Sequence, residues 1–166
     1  PEGDEGGVVV WEWHAWDHLV QDLDASKDNF GVVSESVDKI DVNYGTPSSQ
    51  PSDWLHINAI DYNPYFEHLL LSVPTFDELW IVDYNNFTPG TLLWRWGNPE
   101  AYDMGTEDDQ QLFYQHDCHW VYDHVNIGSN PDFGKIAVFN NRVPAEDGSA
   151  YSAVHLLNPA YTDYDN

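Results

Sequence analysis

The chain has 166 residues, enough for one ordinary domain with a buried core. Apolar residues make up 42%, with eight Trp and ten Tyr, which excludes a disordered chain. Five Lys plus Arg stand against 29 Asp plus Glu, a formal net charge of −24 that excludes nucleic acid and anionic membrane surfaces as main partners.

The acidic residues are spread over loops such as "EGDEGG", "EDGSAY" and "TDYDN" rather than gathered in a tail. A solvated surface on a secreted, periplasmic or cell-surface protein explains that distribution more economically than a binding site does. The single Cys118 forms no internal disulfide, and no apolar run is long enough for a membrane-spanning helix. The chain starts at Pro1 without a signal peptide, which leads us to expect a processed protein or an internal piece of a longer one.

In chain order, the predicted elements are mostly strands. They are 7–13 ("GVVVWEW"), 55–62, 68–73 ("HLLLSV"), 78–84, 91–96 ("TLLWRW"), 114–122, 134–140 and 150–157. Each is short and rich in β-branched and aromatic residues, and turn formers such as "YNP", "TPG", "GNPE" and "SNPDFG" bound most of them. Only "DHLVQDLDAS" (17–26) and "EDDQQLFY" (107–114) suggest a helical turn or two.

The strand order of 55–96 restarts at 115. His56 and His116 open the two first strands, Leu69–Leu71 and Ile136–Val138 are second strands, and Trp80–Val82 and Ser152–Val154 are third strands. "VVVWEW" matches "TLLWRW", the fourth strand of the complete unit. A four-stranded repeat of about 45 residues predicts the blade of a β-propeller. A propeller closes with about four to eight blades, so this all-β chain is expected to form two to three blades of a larger ring. The expected division is 7–13 as the last strand of a preceding blade, 14–52 as an inter-blade insertion ending in "GTPSSQPSD", 53–98 as a complete blade and 112–158 as the following one.

"DWLHINAIDYNP…HLLLSV", "LLWRWGNP", "QHDCHW" and "GKIAVFNN" together resemble the bacterial arylsulfate sulfotransferases, from about residue 8 to 158. The resemblance implies a six-bladed propeller that moves a sulfuryl group from an aryl sulfate to a phenol. It also implies a sulfated histidine and no nucleotide cofactor. By motif match the nucleophile falls on His116 of "QHD" and a supporting histidine on His56. Three positions depart from the family pattern: Pro74 stands where the family has an arginine, and Asn140 and Arg142 replace Asp and Gly in "FNNR".

Sulfuryl transfer needs an in-line nucleophile and donors for three equatorial oxygens. Neutral imidazole suits the first role. Asn58 and Gln115 are candidate oxygen donors, and Arg142 is the candidate replacement for the missing cation. The structural alternative is that both histidines only hydrogen-bond neighbouring loops.

On a regular strand the odd step from His116 to His119 puts the two on opposite faces, so no metal site is expected there. Cys118 then shares the His116 face. It reads as a small buried hydrophobe, with a thiolate formed beside the imidazole as the other reading. His14 and His18 belong to an aromatic-packing loop, while His68, His124 and His155 are expected at the surface or at strand edges. Trp11, Trp13, Trp94 and Trp96 read as packing residues, or as a carbohydrate-stacking row if exposed. The acidic loops lack the ligand spacing of a calcium loop.

Two functions follow. One is an arylsulfate sulfotransferase acting on small aryl sulfates and phenols, with the rest of the propeller or other chains as protein partners. The other is a non-catalytic secreted or cell-surface propeller for adhesion, assembly or glycan binding.

Overall fold

The computed structural model describes residues 6–44, 53–84, 89–121 and 129–160. The expected "GTPSSQPSD" linker, except its last residue, and His124 lie outside the described residues. The described residues are all-β, with four short 3-10 turns and no α-helix. The strands in order are β1 (Leu19–Val20), β2 (Ile40–Asp41), β3 (Ala59–Asn63), β4 (His68–Val73), β5 (Glu78–Asp83), β6 (Leu92–Trp96), β7 (His116–Trp120), β8 (Ile136–Pro144) and β9 (Ala150–Leu157).

β1 and β2 form a small parallel pair. β3-β4-β5-β6 is an antiparallel meander, and β7-β8-β9 is a three-stranded one. β7 starts at His116, where the repeat predicts a first strand, and β3 starts three residues after His56. No closed ring or barrel forms among the described residues.

Turn chemistry sets the four-stranded sheet. After β3, the side-chain oxygen of Asn63 accepts the N–H of Tyr65 at 3.0 Å, a side-chain mimic of a turn, and Pro64 fixes the backbone between them. After β4, Pro74 starts a turn in which Phe76 and Asp77 donate to the carbonyls of Val73 and Pro74. Glu67 and Asp77 each close their turn with a positive φ, at 53° and 54°.

β4 and β5 are buried along their whole length. Side chains alternate across a strand, so a strand buried throughout must be covered on both faces. One face of the sheet (Leu69, Leu71, Val73, Trp80, Val82) packs with Ile40, Phe76 and Ala101. The other (Leu70, Leu79, Ile81) packs on Cys118, Trp120, Ile136 and Val138 of the second sheet. The two sheets therefore stack face to face over a dry layer. Fully burying each large aliphatic there is worth about 1.5–3 kcal/mol.

Polar ties join the same two sheets. The carboxylate of Asp61 on β3 accepts the backbone N–H of Trp120 on β7 at 2.7 Å. The amide nitrogen of Asn58 donates to the Gln115 carbonyl at 2.9 Å, and that of Gln115 donates to the Glu78 carbonyl at 2.8 Å. Within the first sheet, buried Glu78 pairs with Arg95, whose guanidinium also donates to the Lys39 carbonyl and lies 4.3 Å from the Tyr102 ring centroid.

Four expectations need correction. Residues 7–13 join no ladder; Trp11 instead packs on Tyr84, and the Trp13 indole donates to the Gly90 carbonyl at 3.0 Å. The first strand begins at Ala59 rather than 55, because His56 has φ 45°, which strand geometry does not accept. The helical turns at 17–26 and 107–114 shrink to 3-10 turns at Ala15–His18 and Glu107–Asp109, since β1 takes Leu19 and Val20. His68 is 1% exposed rather than at the surface, because β3 and β5 flank β4 on both sides.

Candidate active site

The two predicted histidines lie near the starts of β3 and β7, the strands through which the sheets meet. His116 opens β7 and is half-buried. Its Nδ1 lies 2.8 Å from the side-chain oxygen of Asn141 and 3.2 Å from the Tyr114 carbonyl. Both partners are acceptors, so in the neutral ring the proton belongs on Nδ1 and the lone pair on Nε2. His56 sits three residues ahead of β3, and its Nδ1 is 2.5 Å from a carboxylate oxygen of Asp53. That contact likewise leaves Nε2 free of the carboxylate.

Tyr114 brings these groups together. Its ring centroid is 6.3 Å from that of His56 and 5.6 Å from that of His116. The guanidinium carbon of Arg142, on β8, lies 4.9 Å from the same centroid. Tyr114 has φ 55°, an unusual conformation for an aromatic residue, and its backbone N–H donates to Asp77 Oδ1 at 2.5 Å. Asp77 is also held by the Gln110 amide at 3.0 Å. Burial pushes the Asp77 carboxyl above its ordinary value, while these hydrogen bonds and the Arg142 charge pull against that.

Of the predicted site residues, the structure thus brings His56, His116 and Arg142 to one ring. Asn58 and Gln115 turn inward: each spends an amide N–H on a backbone carbonyl between the sheets, and Gln115 is fully buried. Sequence reasoning missed Tyr114, Asp53, Asn141 and Asp77. Only the position of Tyr114, two residues before His116 in "YQHD", and that of Asp53, three before His56, offered a signal.

The strand parity expected for His119 fails. The register pairs His116 with Phe139 and His119 with Ala137, so residues 117 and 118 together oppose Val138. This β-bulge, with Asp117 at φ 53°, puts His116 and His119 on the same face and sends Cys118 to the other. Cys118 does not share the His116 face: it is buried in the dry layer, and burial pushes its thiol up to about 12. Among the described residues no group of His, Cys, Asp or Glu is arranged to hold a metal ion.

Away from the cluster, His18 stacks on Trp13 with ring centroids 5.1 Å apart, and burial lowers its pKa. Trp94 and Trp96 pack against the dry layer, and Trp11 and Trp13 against the opposite core, so the four do not form an exposed row. Trp11, Trp13, Ile57, Ile60 and Leu69 line an apolar groove on that side of the first sheet.

Two stacked antiparallel sheets thus carry two imidazoles and a guanidinium around one tyrosine ring near their meeting edge. The family model for arylsulfotransferase (ASST) matches residues 2–158, and the chain belongs to that family. No curated protein and no solved structure gives a significant match.

Proposed function

We propose that the protein transfers a sulfuryl group from an aryl sulfate to a phenol through a covalent intermediate on His116. The observation that carries this reading is the contact of His116 Nδ1 with two acceptors, the Asn141 side-chain oxygen and the Tyr114 carbonyl, because it directs the lone pair of the neutral ring to Nε2.

In the first half-reaction the Nε2 lone pair attacks sulfur, the S–O bond to the aryl group breaks, and the phenolate leaves. A proton from His56 or water then neutralises the phenolate. In the second half, a phenol oxygen attacks the sulfur of the N-sulfohistidine, the S–N bond breaks, and the phenol proton passes to His56 or water. Arg142 supplies the local cation for the sulfuryl oxygens that Pro74 does not. Asn58 and Gln115 are framework residues, since their amides tie the two sheets together.

The stacked sheets are read as neighbouring blades of a larger propeller. The face-to-face apolar layer and the shared strand order of 59–96 and 116–157 support that reading. In it, 7–13 belongs to a preceding blade and 14–52 is the insertion between blades. The dispersed acidic surface supports a secreted, periplasmic or cell-surface location.

A second reading, a non-catalytic surface propeller for adhesion, assembly or glycan contact, draws on Pro74 and on the inward-turned Asn58 and Gln115. Incubation with an aryl sulfate and a phenol separates the two. Phenol release by the wild type that disappears in His116→Ala supports transfer, with the sulfated peptide detectable by mass spectrometry. Release that survives in His116→Ala removes the proposed nucleophile, and no release by the wild type favours the scaffold.

A further inference from the structure

Tyr114 belongs to none of the motif positions, yet three groups of the proposed site touch its ring. It is half-buried, and its left-handed backbone is clamped by Asp77, itself braced by Gln110. A tyrosine needed only for packing has no use for such a conformation, and strained residues of this kind gather where a side chain must be aimed.

The geometry points to Tyr114 as a positioning residue whose ring holds the Arg142 guanidinium on its face while also packing with His56 and His116. This rests on the sulfuryl-transfer reading and deepens it. The negative face of an aromatic ring attracts a guanidinium. Arg142 is an exposed side chain on β8 that feels the Asp77 charge besides the ring, and holding it in advance removes much of the ordering cost when an anionic group binds. The ring thereby lets a cation from the second sheet do the work of the arginine that Pro74 displaces. Only the ring is used in this role, and the phenol hydroxyl takes no part.

Steady-state kinetics with an aryl sulfate test the assignment. Tyr114→Phe keeps the face and is expected to hold KM within about twofold. Tyr114→Leu is expected to raise KM about tenfold while kcat changes much less, because the guanidinium grips the sulfuryl oxygens in ground and transition states alike. Arg142→Gln should reproduce the Leu variant, and the double variant should be no worse than either single one. Additive losses, or a Phe variant as impaired as the Leu variant, overturn the proposal.

If the wild type releases no phenol, the transfer reading fails and NMR still decides the positioning. The Arg142 Nε–H resonance should carry a ring-current shift in the wild type and in Tyr114→Phe, and lose it in Tyr114→Leu. An unshifted resonance in the wild type overturns the assignment.

Discussion

Cys118 carries a thiol whose burial, reinforced by the negative charge of Asp61, holds it protonated far above neutral pH. A thiolate is the reactive form, so the folded protein should resist alkylating reagents at pH 8 and label only after unfolding. Rapid labelling of the native protein would contradict this placement. Asp77 has the opposite character, half fold and half site, because its carboxylate fixes the Tyr114 backbone. Asp77→Ala should lower stability by about 1–3 kcal/mol in denaturant titration and raise KM for an aryl sulfate, since Tyr114 loses its clamp. Asp77→Asn should restore part of both, as the amide oxygen still accepts the Tyr114 N–H.

At the scale of elements, β5 and β6 are locked by the buried Glu78–Arg95 pair. Burial pushes the Glu78 carboxyl up against the pull of the Arg95 guanidinium. Arg95→Met should cost about 3–5 kcal/mol because it strands a buried carboxylate, and adding Glu78→Gln should recover much of the loss. Unfolding curves of the two variants check the pair. Just past β6, Gly97 has φ 128°, and a Cβ there would lie 2.3 Å from the Asp77 carbonyl oxygen. Gly97→Ala should therefore cost at least about 2 kcal/mol by the same measurement.

The strands themselves were legible because the centres of β4 and β5 and the first half of β8 are apolar runs near Pro, Asn and Gly turns, and the repeated order betrayed the second sheet. The faces of β7 were not legible, because counting from His116 to His119 assumes a period of two that the bulge at Asp117 breaks. "VVVWEW" looks like a strand, but strand identity depends on a partner, and no described segment pairs with it. At the site, the motif gave the two histidines. The ring that joins them was hidden, because a positive φ at Tyr114 has no composition signature.

For the molecule as a whole, the −24 charge sets the response to solution conditions. Self-repulsion among carboxylates weakens the folded state at neutral pH, so added salt should raise Tm. Burial also raises the Asp41 and Asp77 carboxyls. A group raised on folding contributes stability below its unfolded pKa, and that contribution is lost as pH rises through the folded value. Exposed Asp24 and Asp147, lowered by hydrogen bonds from Ser26 and Ser149, oppose this weakly. His18, lowered by burial, acts the other way and costs stability as pH falls below 6.5. The raised carboxyls should therefore support Tm as pH falls toward their ordinary value of 3.8, and a profile whose acid side is unchanged by Asp41→Asn and Asp77→Asn would count against the balance.

The imidazoles, the tyrosine and the guanidinium come from both sheets, and Asp61, Asn58 and Gln115 fasten those sheets at the same edge. Under the proposed transfer, turnover is thus a gauge of the seam rather than of either sheet. Gentle warming or an Asp61→Ala change that lets the layers slide should silence turnover while circular dichroism still reports intact strands.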